Sequence, residues 1–166
     1  VTPELRAEIS AAIQEAGGAV AFAMPRLSSF CGRDMRHSGW WPDPQTRLFR
    51  KGAARFSEDH VHDRIIVTGE VRRLKNHMGH APMPTLEHVI NKINGYSSAG
   101  ARFNFAKGKQ ASLGKAIAHG LWAFFRTYVL KAGFLDGREG FMLSVSNAEG
   151  TYYRYLKLMM LGNKPR

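Results

Sequence analysis

Cysteine is almost missing from this chain of 166 residues: Cys31 stands alone. No internal disulfide can form, and no cysteine-based metal spacing exists. A reducing compartment, the cytoplasm, is the expectation. Acidic residues are also scarce, 13 against 24 Lys and Arg, which leaves a formal net charge of +11. A surface with that balance attracts something anionic: nucleic acid, anionic lipid or a phosphorylated substrate. Long apolar runs are lacking too, and none approaches the roughly 18 residues that a spanning helix needs. The expectation is a chain that is soluble or lies on a membrane. There is no internal repeat and no linker rich in Pro, Gly or Ser, which argues for one folded unit over residues 1–166.

What is present reads as globular, with 44% hydrophobic and 22% charged residues. A chain of this length buries about 70% of its unfolded surface. The first residues are Val1 and then "TPEL". Thr2 can cap a helix, Pro3 suits its first position and Glu4 suits its positive end. A helix that begins this early suggests a segment of a longer chain. Leu5, Ile9, Ala12, Ile13 and Ala16 continue at helical spacing until Gly17-Gly18 stops them.

"AVAFAM" then reads as a buried strand, followed by a polar loop, "SSFCGRDMRHSGW", with turns at Gly32 and Gly39. "TRLFRK" is a short strand, and "RIIVTGEVRRLKN" two strands joined at Thr68-Gly69. From Pro84 the hydrophobic period shifts towards 3.6 and three helices are predicted. The first has the stripe Leu86, Val89, Ile90, Ile93 and Tyr96; the second has Leu113, Ile117, Leu121, Phe124, Phe125 and Tyr128; the third runs from about Gly137 to Leu161. Asp136, with Glu139 three residues on, has the spacing of a capping box for the third. Residues 1–82 are thus strand-rich and residues 83–166 helical.

Several residues invite a chemical reading. Basic residues at 47, 50, 51, 55, 64, 72, 73 and 75 make a dense row, and arginine forks such as Arg47 and Arg50 suit phosphate or carboxylate. The alternative is a solvated strand face. Trp40 and Trp41, if in a strand, point to opposite faces, so one of them can offer a platform to a sugar ring while the other packs. His77, His80 and His88 match no structural zinc spacing, and His37, His60 and His119 read as surface or packing residues. "GLWAFFRTYVLKAG" is aromatic and amphipathic with basic flanks, and either packs the core or docks on an anionic leaflet.

The stretches "RLFRKGAARFSEDHVHD", "GEVRRLKNHMGH", "LEHVINKINGYS" and "FFRTYVLKAGFLDGREGF", in this order and spacing, resemble the C-terminal half of inverting family 2 glycosyltransferases, particularly those that add glucose or a similar sugar to the lipopolysaccharide core. The resemblance implies an α/β chain of GT-A type: mixed strands followed by a bundle of about three helices, the acceptor half, with the nucleotide-binding half and its Asp-x-Asp metal motif preceding it and missing from this chain. It implies a nucleotide-sugar donor, an anionic lipid-linked sugar acceptor, and contact with the inner face of the cytoplasmic membrane.

It also implies roles. Asp63 would be the base on the acceptor hydroxyl, next to His62 in the acceptor site, where the family more often carries His-Glu; Glu58 and Asp59 rank second, and pairing with Arg64 is the structural alternative for Asp63. His80 would ligate a divalent metal, Mg²⁺ or Mn²⁺, that offsets charge on the leaving diphosphate. Arg47, Arg50 and Trp40 would contact the acceptor. Two rival readings draw on the same charge: a nucleic-acid-binding module, for which the sequence lacks an aromatic ribonucleoprotein strand motif and a zinc-finger spacing, and a non-catalytic domain that docks on membranes.

Overall fold

The computed structural model describes residues 1–57 and 65–162. The chain is mixed α and β, in the order α1 (Pro3–Gln14), β1 (Ala19–Phe30), β2 (Arg33–Asp34), β3 (Pro44–Phe49), β4 (Ala54–Phe56), β5 (Ile65–Val67), β6 (Glu70–Arg73), β7 (Met78–Met83), α2 (Leu86–Ala106), α3 (Leu113–Phe125) and α4 (Gly137–Gly162). A single π turn, Arg126–Leu130, and a 3₁₀ turn, Gly133–Asp136, connect α3 to α4. Two compact units form: Val1–Ser28 with Trp41–His80, and Ser29–Trp40 with Ala81–Arg166.

In the first unit α1 starts as its residues dictate. Thr2 Oγ1 accepts a hydrogen bond from Leu5 N at 3.2 Å, and Pro3 occupies the first turn, where its missing N–H costs nothing. β1 is the central strand, antiparallel to β3 through the Phe22/Leu48 register and parallel to β6 through Phe22/Arg72, with β7 also paired to it. A strand covered on both faces reads as near-continuous apolar sequence, which is why "AVAFAM" shows no alternation. Leu5, Ala19, Phe22, Met24 and Leu74 make the core, with Ile9, Ala12 and Leu48 packed against it. Ile13, predicted to join that stripe, is exposed. β4 and β5 pair in a separate two-stranded sheet.

Several strand assignments differ from expectation: β2 and β4 arise where no strand is predicted, and two further cases have a visible cause. β1 runs on through the "SSF" that reads as loop, because Ser28 finds a hydrogen-bond partner and Phe30 is fully buried. β7 arises in "MGHAPM", whose glycine and proline argue against a strand; pairing with β1 overrides local propensity. Trp40 and Trp41 lie in no strand, so the alternation rule does not sort them.

In the second unit β1 turns into β2 through Cys31 and Gly32, both at positive φ (48° and 87°), a hairpin of the primed type. Phe30, Met35, Val89 and Leu143 form its core. α4 packs against α2, where Lys157 Nζ donates to Asn94 O, Asn94 Oδ1, Ser97 Oγ and Ser98 Oγ at 2.8–3.1 Å. It also packs against α3, where His119 stacks flat on Tyr155 with ring centroids 4.2 Å apart. Ser112 caps α3 through Lys115 N at 3.3 Å. The predicted α3 stripe is helical but faces outward: Leu113, Ile117, Leu121 and Phe125 are exposed, and Ala116 and Gly120 are buried instead. Among the described residues no helix is long and apolar enough to cross a membrane.

Candidate functional site

The basic strand of the first unit is β3. Arg47 is exposed, and among the described residues its Nη1 reaches the neighbouring Thr46 carbonyl, at 3.4 Å. Arg50 follows the strand; its backbone N–H donates to Val20 O at 2.8 Å, while the residue stays exposed. Lys51, Arg55 and Arg73 are exposed as well, so the row presents cations to solvent. Arg72 is the member diverted to structure: it pairs with Glu70 at 3.0 Å and donates to Glu15 O at 3.1 Å. Arg64 lies outside the described residues, as do Glu58, Asp59, His62 and Asp63.

Asp43, the described acid closest in sequence to this strand, is fully engaged. Arg26 Nε donates to it at 2.9 Å, Arg26 Nη2 makes a shorter contact and Gln45 Nε2 donates at 2.8 Å. Both carboxylate oxygens are thus occupied by side chains of the fold. Glu8 is likewise committed. Burial works against its charge, but hydrogen bonds from Lys75 N, Asn76 N and Asn76 Nδ2, at 2.7–2.9 Å, outweigh it and hold the carboxyl below its ordinary value.

His80 sits on β7 with Nδ1 3.2 Å from Ser28 Oγ, a hydrogen bond whose direction follows the tautomer. That bond fixes the ring plane, as a ligating imidazole requires. The neighbouring histidines do not join it: His77 stands edge-on to Trp41, centroids 6.0 Å apart, and His88 Nδ1 meets Thr85 Oγ1 at 2.9 Å. Among the described residues no three His, Cys, Asp or Glu gather to hold a metal ion. A divalent ion would therefore take from them His80 as one ligand and no complete set.

Trp40 belongs to the second unit. It meets Phe30 edge to face, centroids 6.2 Å apart and planes at 81°, and packs against the core there. It is half-buried, so part of the ring remains accessible.

The sequence suggests another role for Asp136, the acid with the most hydrogen bonds among the described residues. Asp136 does not cap α4. Its buried carboxylate accepts from Arg36 N at 3.1 Å, His37 N at 3.0 Å, His37 Nδ1 at 3.0 Å and Ser38 Oγ at 3.0 Å. It thereby fastens the loop 36–38, in which Ser38 is held at φ 61°. The available signal was the run of donors "RHS", but the partner lies about a hundred residues on. Nearby, Gly140 of α4 crosses the 3₁₀ turn so closely that a Cβ there would collide with Gly133 O. Glu139 bonds Arg138 at 2.6 Å and lies 3.9 Å from Arg33. The Arg138 hydrogen bond, ahead of burial which opposes it, keeps this carboxyl below its ordinary range. Cys31 is pushed the other way, by burial first and then by Glu139 and Glu87, which keeps it a protonated thiol and an unreactive one.

α2 and α4 also enclose a cavity of about 210 Å³, whose polar lining includes Lys92, Ser97, Asn147, Thr151 and Arg154. Arg154 Nε is buried there and has no hydrogen-bond partner among the described residues. Such a group stays satisfied only if water or an anionic ligand reaches it.

Comparison with known proteins gives one consistent result. The chain is similar to an uncharacterized glycosyltransferase of Rickettsia prowazekii, 28% identical over 128 residues, covering 72% of this chain and 44% of that protein. A second, from Rickettsia typhi, is 27% identical over 129 residues with the same coverage, and a third, from Rickettsia conorii, 27% over 122 residues, covering 68% and 43%. The chain thus spans less than half the length of the curated relatives it matches. No family model and no solved structure matches it significantly.

Proposed function

We propose that this chain is the acceptor half of an inverting, nucleotide-sugar-dependent glycosyltransferase of family 2 and GT-A type, which places glucose or a similar sugar on a lipopolysaccharide core or another anionic glycolipid. The observation that carries the reading is the similarity to glycosyltransferase-named proteins over about 70% of the chain. The exposed cations of β3 support an anionic acceptor. The engagement of Asp43 and Glu8 supports leaving the base to the segment that follows β4, with Asp63 first and Glu58 or Asp59 behind it.

The reaction requires a proton to leave the acceptor hydroxyl as its oxygen attacks the anomeric carbon. Asp63 takes that proton, a C–O bond forms on the face of the anomeric carbon opposite the nucleotide diphosphate, the bond to that diphosphate breaks, and the configuration inverts. Arg47 and Arg50 hold the anionic groups of the acceptor, with His62 and the accessible edge of Trp40 as further contacts. A divalent ion, Mg²⁺ or Mn²⁺, would stabilise the departing diphosphate; His80 is the residue offered to it. Donor contacts belong to sequence outside this chain, so the chain alone is expected to be inactive. An acceptor of this kind is held in a leaflet, which places the enzyme at the inner face of the cytoplasmic membrane.

The test uses the full-length protein encoded with this chain, a panel of labelled nucleotide sugars and lipopolysaccharide core acceptors. Sugar transfer with inversion, lost in Asp63→Asn at unchanged circular dichroism, supports the reading. Absence of transfer or donor hydrolysis, together with salt-sensitive RNA or DNA binding, overturns it.

A further inference from the structure

α3 is built the wrong way round for a helix whose outer face meets water. Its buried positions are Ala116 and Gly120, followed in the π turn by Thr127, all small. Gly120 lies close against α4, where a Cβ would come within 3.2 Å of Tyr152 Cβ and 3.4 Å of Ala148 O. Small residues at a helix contact with large apolar ones outside is how helices pack when their surroundings are lipid, because burying the large side chains against protein then gains little. The outward residues are large and apolar: Leu113, Ile117, Leu121, Trp122, Phe125 and Val129. Leu121 is 69% exposed and Trp122 54%. The apolar surface continues past the helix through Leu130, Phe134 and Leu135, which are 57%, 51% and 55% exposed. An exposed patch of this extent marks an interaction surface.

The charges around it name the partner. From His88 to Leu135 the sequence carries no acidic residue, and its basic ones are Lys92, Arg102, Lys107, Lys109, Lys115, Arg126 and Lys131. Lys115 and Arg126 fall beside Trp122 at helical spacings of seven and four residues. Apolar side chains bordered by Lys115 and Arg126, with no acid anywhere from His88 to Leu135, match an anionic bilayer: the apolar row enters the acyl boundary and the cations stay at the headgroups. A protein partner would leave the complete lack of acids without a cause.

We propose that the outer face of α3 and the turns up to Leu135 is a docking surface for an anionic lipid bilayer. This inference stands on the face itself and not on sugar transfer, so either can fail without the other.

The test is flotation of this chain with vesicles of phosphatidylcholine alone and of equal parts phosphatidylcholine and phosphatidylglycerol. Binding to the mixed vesicles is expected, with weak or no binding to phosphatidylcholine. Leu121→Ser with Trp122→Ser removes two exposed side chains and is expected to lower partitioning about 10- to 100-fold. A second variant, Lys115→Gln with Arg126→Gln and Lys131→Gln, keeps the apolar row intact and is expected to lose about 10- to 100-fold on mixed vesicles only. Unchanged circular dichroism verifies that both variants fold. No binding to anionic vesicles, or binding that neither variant weakens, overturns the proposal. So does a dimer in solution that ignores vesicles and that the Leu121/Trp122 variant dissociates, since a second copy would then cover the face.

Discussion

Replacing Asp136 by alanine separates two readings of one residue. An ordinary helix cap lost to alanine costs about 1 kcal/mol. The structure makes Asp136 a buried anchor: its carboxylate receives Arg36 N, His37 N, His37 Nδ1 and Ser38 Oγ, all at 3.0–3.1 Å. Each net bond to a charged group is worth about 1.5–3 kcal/mol, and each buried donor left unpaired costs about 1–3 kcal/mol. The four do not count equally. The His37 ring is 39% exposed and can turn to water, and the Ser38 hydroxyl can rotate, so the two backbone donors dominate. The expected loss for Asp136→Ala is therefore about 3–5 kcal/mol, a large share of a typical domain stability of about 5–15 kcal/mol. Asp136→Asn keeps an acceptor and the shape, and should lose about 1–2 kcal/mol. Urea unfolding followed by circular dichroism measures both. A loss near 1 kcal/mol for alanine, or asparagine as damaging as alanine, would refute the anchor and restore the cap.

In the full-length protein, Asp63→Asn should reduce transfer about 10²- to 10⁴-fold, the usual contribution of a positioned base, with the fold retained; wild-type turnover removes the assignment. His80→Ala should raise the concentration of Mn²⁺ or Mg²⁺ needed for half-maximal transfer about 10-fold or more, and an unaltered metal titration excludes it as a ligand. Glu139 predicts a pH dependence. Its folded carboxyl is held below the ordinary value of 4.5, so its contribution to stability is present above that value and lost as pH falls through the lower folded one. The melting temperature of Glu139→Gln should therefore trail that of the parent at pH 7 and approach it in acid; a gap that persists unchanged at low pH contradicts the ion pairs with Arg138 and Arg33.

Much of the architecture can be read from residues alone, and the exceptions share a cause. Thr2 and the change of period at Pro84 mark helices that the structure contains, because caps and periodicity are local properties. β7 was not legible: Gly79 and Pro82 disfavour a strand, and what makes one is the edge that β1 offers, far away in sequence. Asp136 was misread for the same reason, since its donors sit in another loop altogether. The α3 stripe shows a different limit. Its period was legible, but the choice between packing the core and docking outward was not; the clue lay in the small residues Ala116 and Gly120 spaced for close approach to α4. Of the candidate site, Arg47, Arg50, Trp40 and His80 have places in the structure, while His62 and Asp63 lie outside the described residues.

The two units share one chemical preference. In the first, Arg47, Arg50, Lys51 and Arg55 face solvent while the described acids nearest to them, Asp43 and Glu70, are tied to Arg26 and Arg72. In the second, acids are excluded from α3 and its flanks, and those at the start of α4 are consumed by Asp136's donors and by the Arg138 and Arg33 pairs of Glu139. Neutralising each acid next to a cation would ordinarily waste the field; spending the acids on internal bonds leaves the outward cations unopposed. Under the proposed function, an anionic lipid-linked sugar would satisfy both preferences, because it presents charge in its head and lies in a charged leaflet. For such a substrate, docking on the leaflet raises the local concentration of acceptor by confinement alone, so the acceptor site itself can bind weakly and still be filled. Tight recognition of the headgroup would then be unnecessary, and exposed arginines, which bind charge without enclosing it, suffice where a deep pocket would otherwise be required.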